Sequence, residues 1–250
     1  MEPTPALPDS CGTQGQAAGT VLSVNLGRGG RPGGTTRLTG IDKHPVEYSV
    51  QVAAPGPKHV AGSGMSGDDV CNLKHHGGND QAVYAYARED LDRWADELGR
   101  ELPNGSFGEN LTTSGIDIGS AIVGERWAIG STLVLEISDP RIPCRNFAEF
   151  LGERGWVRRF TERATSGTYF RVLTPGPVMA GDTVRVVHRP EHDVTVATAF
   201  RAFTSAPDLL PRLLGVQSLS VEAQDKVRRR VPPESAIGKA TNSPMTAEPA

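Results

Sequence analysis

Short apolar runs closed off by glycine and proline dominate this chain. Leu133-Val134-Leu135-Glu136-Ile137 is one, preceded by the Ile129-Gly130-Ser131 turn and followed by Pro140 and Pro143. Thr20 to Leu26, Val46 to Ala53, Thr168 to Leu173 and Thr183 to His188 read in the same way, and so does Ala121 to Ala128. Runs this short, bounded by turn residues, fit strands with side chains alternating between two faces better than helices. Glycine (29) and proline (19) are plentiful among 250 residues while charged residues stay at 22%, which favours many short strands over a helical bundle. The expected fold class is α+β, mostly β. One domain of this size buries a substantial core.

Helical spacing is confined to a few places. Leu91, Trp94, Ala95 and Leu98 within Arg88 to Arg100 form an apolar stripe that ends near Gly99, an amphipathic helix over the core. Asn146 to Leu151 and Gly155 to Arg163 also read as helical, and after Val194 the pattern changes to three short helices, Val196 to Phe203, Pro207 to Leu214 and Ser220 to Arg230. Proline-rich, small and polar composition makes residues 1–18, with Cys11, an expected disordered tail, and the same holds for 232–250. The main body is then 19–190, followed by a helical segment at 191–231.

A net charge of -3, with no basic block except Arg228-Arg229-Arg230, argues against nucleic acid as a partner. No run approaches the length of a membrane span and no secretory signal opens the chain. A cytoplasmic protein is expected, and three widely spaced cysteines without a C-x-x-C pair fit a reducing compartment. Cys71 reads as a small core hydrophobe.

Chemistry concentrates at Pro140-Arg141-Ile142-Pro143-Cys144, which delivers a thiol at a strand end on a stiff segment, since Pro143 fixes its own φ and restricts Ile142. Arg141 and Arg145 flank the sulfur, and nearby cations favour the thiolate that attacks and binds metals. The competing reading is an inert buried thiol. Three other segments carry polar groups beside turn glycines: Lys43 in Gly40-Ile41-Asp42-Lys43-His44-Pro45, His75-His76-Gly77-Gly78, and Gly105-Ser106-Phe107-Gly108-Glu109-Asn110. The last has a carboxylate and a carboxamide that could converge on a ligand. Neither a phosphate-binding G-x-x-x-x-G-K-[ST] nor a G-x-G-x-x-G fingerprint is present.

Taken in order, Lys43, His-Gly-Gly, Phe-Gly-Glu-Asn-Leu, Pro-Arg-Ile-Pro-Cys, Gly-Thr-Tyr-Phe-Arg-Val-Leu and Ala-Gly-Asp resemble a MOSC domain, the module named after the C-terminal part of molybdenum cofactor sulfurases. The likeness is to the stand-alone bacterial branch linked to detoxification of N-hydroxylated purines, and it covers roughly Thr20 to His188. It implies a β-barrel with peripheral helices and a small helical tail. It also implies a molybdenum cofactor whose metal takes Cys144 as a ligand, with Lys43, His76, Asn110, Arg141 and Arg171 meeting the pterin and its phosphate. Gly77 and Gly78 would admit the backbone close to the cofactor.

Relatives often carry lysine where this chain has Gln81 and Asn146. Three activities follow from the likeness: reduction of an N-hydroxylated substrate with a separate electron-donor reductase, sulfur carriage as a Cys144 persulfide, or non-catalytic cofactor binding. Pyridoxal phosphate is not expected, because the desulfurase domain of the name-giving sulfurases is absent. A homodimer stays open.

Overall fold

The computed structural model describes residues 17–231. Cys11 and most of the expected tails lie outside the described residues, but Ala17 and Ala18 already belong to the first strand. Among the described residues the strands are β1 (Ala17–Gly27), β2 (Lys43–Val46), β3 (Val50–Val52), β4 (Val83–Ala87), β5 (Leu111–Ser114), β6 (Arg126–Ile129), β7 (Leu133–Pro140), β8 (Thr168–Thr174), β9 (Gly176–Val178) and β10 (Thr183–His188). Seven of them close a barrel in the order β10-β6-β7-β8-β4-β5-β1, with β10 pairing back onto β1 and β2 added along the end of β1. Closure removes the unpaired edges that an open sheet would expose. β4–β5 is the parallel pair among antiparallel neighbours, and β3 and β9 form a small separate ribbon.

The expected strand Val46 to Ala53 divides between β2 and β3. Ala121 to Ala128 shortens to β6, because Gly124 turns at φ 92°, a backbone region that favours glycine.

β4 organises the interior. All five of its residues are buried, and alternation sends them to two cores. Val83, Ala85 and Ala87 face the barrel lumen with Trp127, Ile137 and Phe170. Tyr84 and Tyr86 face outward into an aromatic cluster with Trp94, Phe107, Phe147, Trp156 and Phe160. That cluster gathers α1 (Arg88–Leu98), α2 (Arg145–Leu151) and α3 (Trp156–Arg163), with the Trp94 and Trp156 rings 4.6 Å apart and Phe107 and Phe147 5.1 Å apart. Tilted and edge-on contacts of this kind add to the area they bury.

The C-terminal segment is helical as expected: α4 (Val196–Phe203), 3₁₀ turns at Pro207–Leu213 around Pro211, and α5 (Val221–Arg230). Thr195 and Ser220 cap α4 and α5 by accepting the Thr198 and Ala223 N–H groups. The segment has its own apolar core of Leu210, Leu213, Val216 and Val227, and Val123 joins it from the barrel. Phe200 goes the other way and enters the aromatic cluster, 6.1 Å from Phe160.

Phe200 is therefore a structural bolt between tail and body. Phe200→Ala is expected to lower unfolding free energy by roughly 3–5 kcal/mol, read from the urea midpoint at constant slope. A loss below about 1 kcal/mol would mean that the tail does not share the body's core.

Candidate functional site

A cleft opens where the end of β7, the start of β2 and the loop before β4 meet. Lys43, His76, Gly77, Asn110, Arg141 and Cys144 all line it, so the structure gathers six of the eight residues singled out in the sequence. Gln81 and Asn146, the two positions where lysine was expected from relatives, line it as well.

Arg141 leaves the end of β7 and is 5% exposed. Its guanidinium lies 4.1 Å from the Phe147 ring centroid and 4.8 Å from that of Tyr84, and Nη1 donates to the Phe107 carbonyl. Aromatic faces and a carbonyl accept this cation, and among the described residues no carboxylate comes within ion-pair distance of it. Burial disfavours its charge, yet attraction from Tyr84, Tyr169 and Cys144 leaves its pKa raised.

Lys43, the first residue of β2, pairs with Asp68 inside the cleft. Burial lowers its pKa against the opposing pull of Asp68. Asp68 also accepts from the Gly27 N–H and from Asn110 Nδ2, each at 2.9 Å. The loop after the Gly62 to Gly67 turn reads as punctuation in sequence, and no local signal marks Asp68 as the counter-charge of a lysine on β2. Asn110 is consumed by the frame: its Oδ1 accepts from the Tyr84 N–H and its Nδ2 donates to Asp68.

Glu109 turns away from the cleft. It is fully buried and accepts from the Gly105 and Phe107 N–H groups at 2.6 and 2.9 Å and from Thr112 Oγ1 at 2.8 Å. The carboxylate closes its own loop instead of converging on a ligand. Burial raises its pKa against those hydrogen bonds.

Three further expectations are corrected. Arg145 points to solvent and pairs with Glu149 at 2.6 Å along α2, so Arg141 alone is the arginine beside Cys144 in the cleft. Arg171 is absent from the cleft: it binds Asp80 at 2.7 Å, Glu136 at 2.9 Å and the Ser218 carbonyl at 2.9 Å, tying the tail to the barrel. Gly78 approaches the chain rather than a ligand, since a Cβ there would stand 2.7 Å from the Lys58 backbone. Two residues enter unforeseen. Tyr169 on β8 lines the cleft, and so does half-buried Cys71, whose thiol burial and the Asp69 and Asp68 charges push up.

His76 follows the tight Asn72 turn and precedes Gly77, held at φ 85° with two carbonyls 2.8 Å from its would-be Cβ. Burial first, then Arg141, His75 and Lys58, push His76 down to about 4, so its imidazole is neutral at pH 7. The unfolded chain protonates it near pH 6.5 and the folded chain does not, so its contribution to stability is present above that value and is lost as pH falls toward 4. Between those limits wild type should lose on the order of 2–3 kcal/mol more than His76→Gln, measured by denaturation at stepped pH; parallel profiles would place His76 in open solvent.

The family model described as the MOSC domain matches residues 72–185. An uncharacterized protein of Bacillus subtilis (strain 168), YflK, is 32% identical over 206 residues, covering 80% of this chain and 89% of its own. A protein of Gibberella moniliformis (strain M3125 / FGSC 7600) named Reductase is 31% identical over 139 residues, which are 54% of this chain but 24% of that protein. The crystal structure of YiiM from Geobacillus stearothermophilus aligns with a TM-score of 0.69 and 25% identity, over 85% of this chain and 98% of that one. The barrel, its helical tail and these likenesses agree: the chain belongs to the MOSC domain family.

Proposed function

We propose that the chain holds a molybdenum–pterin cofactor in the cleft and, with electrons from a separate reductase protein, reduces N-hydroxylated bases or related N-oxygenated compounds. The observation that carries the reading is Arg141, a buried cation without a carboxylate partner among the described residues, lining the same cleft as the Cys144 thiol. The phosphate of such a cofactor would supply the missing counter-charge, since a guanidinium matches phosphate geometry through paired N–H groups. The thiol suits a soft metal. Among the described residues no group of three or more His, Cys, Asp or Glu could hold a bare ion, so a metal on Cys144 would need further ligands from an organic cofactor. When bound, that group supplies the two-electron redox chemistry.

The protein's own residues bind and orient. Lys43, already balanced by Asp68, contributes hydrogen bonds more than net charge. Neutral His76 can donate or accept at the cleft wall. Overall, R–NH–OH, two electrons and two protons give R–NH₂ and water. The relative named Reductase supports a redox role, although this chain spans only 24% of that protein.

Molybdenum analysis of carefully prepared protein tests the reading: near-stoichiometric metal in wild type, retained in Cys71→Ser and lost in Cys144→Ser, is expected. Metal-free protein carrying cyanide-labile sulfur on Cys144 would replace it with the persulfide-carrier reading.

Arg141→Lys keeps the charge and removes the fork. It should weaken cofactor retention about ten- to a hundredfold, as expected for the loss of a charged hydrogen bond, without unfolding the chain. Unchanged occupancy in Arg141→Lys and Lys43→Ala would remove both residues from the site.

A further inference from the structure

Asp139, the next-to-last residue of β7, is a carboxyl that the reading of the cleft leaves unused. It is 9% exposed, and two cavities beyond the cleft border it. One also holds the Cys144 thiol and is walled on its far side by Phe203 and Lys226 of the tail. The other lies among Lys58, Asn79 and Glu222. Lys58 and Glu222 pair there at 2.5 Å, and the Glu222 side chain is 57% exposed, so this second cavity reaches the surface. Asp139 stands between it and the thiol.

The groups around Asp139 come from every element packed on it. The tail gives the Ser220 N–H, which donates to Oδ1 at 3.2 Å, and Glu222, already engaged by Lys58. The turn at Asn79–Gln81 gives Asp80, and β8 gives Arg171 and Tyr169. Arg171 divides its charge between Asp80 and Glu136, at 2.7 and 2.9 Å. His75, His76 and Lys226 line the thiol side. Among the described residues no cation pairs with Asp139 itself. Burial raises its pKa, the Ser220 hydrogen bonds oppose the rise, Asp80 adds to it and Arg171 opposes it. A carboxyl in such surroundings keeps its proton longer than one in water.

We propose that Asp139 is the proton donor of the reduction, delivering to the thiol-bearing cavity a proton that it regains from solvent through the cavity beside Lys58 and Glu222. The assignment rests on the reductase reading of the cleft. As the N–O bond breaks, the two electrons come from the reductase protein. The oxygen takes the Asp139 proton and leaves as water, nitrogen takes a second proton from solvent, and the carboxylate is reprotonated. His76, neutral with its pKa near 4, is a poor source of that proton at pH 7.

Asp139→Asn keeps an oxygen for the Ser220 N–H and loses the acid. Infrared spectra of the full chain across a pH titration read the carboxyl directly. A protonated C=O band that persists above the ordinary aspartate range is expected in wild type, absent from Asp139→Asn and shifted in Asp139→Glu. The Glu variant keeps the acid, so the band is assigned even where the Asn variant does not fold. With N6-hydroxyadenine and reduced methyl viologen, folded Asp139→Asn should lose about a hundredfold in kcat, the contribution of a positioned acid, with KM, molybdenum content and melting temperature unchanged. The acid form is the active one, so wild-type kcat should fall as pH rises through the Asp139 pKa, and that limb should remain in Asp139→Glu and vanish in Asp139→Asn. An ordinary aspartate titration in wild type, or wild-type kcat in folded Asp139→Asn, overturns the relay and leaves the reductase reading standing. Wild-type protein that carries no molybdenum removes that reading and the relay with it.

Discussion

The guanidinium of Arg141 is the contact on which the arrangement of this protein turns. Taking a cation out of water costs several kcal/mol, and the fold offsets that cost with the Tyr84 and Phe147 rings and the Phe107 carbonyl. Each partner belongs to a different part of the chain: Tyr84 to β4, Phe147 to α2, Phe107 to the glycine-bounded loop closed by Glu109. A single side chain thus fixes the end of β7 against all three. Because Cys144 follows on the same stiff segment, whatever holds Arg141 also holds the thiol.

β4 makes this arrangement possible. A strand buried on both faces needs apolar residues at every position, and Val83-Tyr84-Ala85-Tyr86-Ala87 supplies small residues toward the crowded barrel and large aromatic ones toward the helices. The two hydroxyls reach acceptors at the edge of the cluster, Tyr84 on the Ser166 carbonyl and Tyr86 on the Thr165 carbonyl, both at 2.8 Å. The two tyrosines are thus buried with their hydroxyls paired, whereas Trp156 Nε1 in the same cluster has no partner among the described residues. The helices are held by this aromatic face, and α1 and α2 have no side-chain cap at their N-termini.

Much of this was legible in the sequence, and the exceptions share a cause. Alternation located β1, β7, β8 and β10, and 3.6-residue spacing located α1 to α5, because these patterns are local. β4 and β5 were missed: β4 is buried on both faces and shows no alternation, Leu111-Thr112-Thr113-Ser114 is short with two threonines buried by tertiary structure, and their parallel pairing leaves no hairpin signal. At the site, Lys43, His76, Gly77, Asn110, Arg141 and Cys144, which the order of motifs singles out, line one cleft. Charge partners were not legible. Nothing near Arg171 announces that Asp80 and Glu136 will engage it, and nothing near Arg145 says that a helical neighbour four residues on will draw it away from the sulfur. A cation's role is decided by which carboxylate reaches it, and that is a property of the closed barrel.

The same bookkeeping of charge separates the two sides of Cys144. On the side of the cleft, Lys43 has Asp68 while Arg141 has no carboxylate within ion-pair distance among the described residues, so a buried positive charge remains uncompensated. On the side of the tail, Lys226 stands over an aromatic ring and the carboxylates already have donors. Since Coulomb energies grow as the local dielectric falls, an anionic group gains more beside buried Arg141 than beside half-buried Lys226.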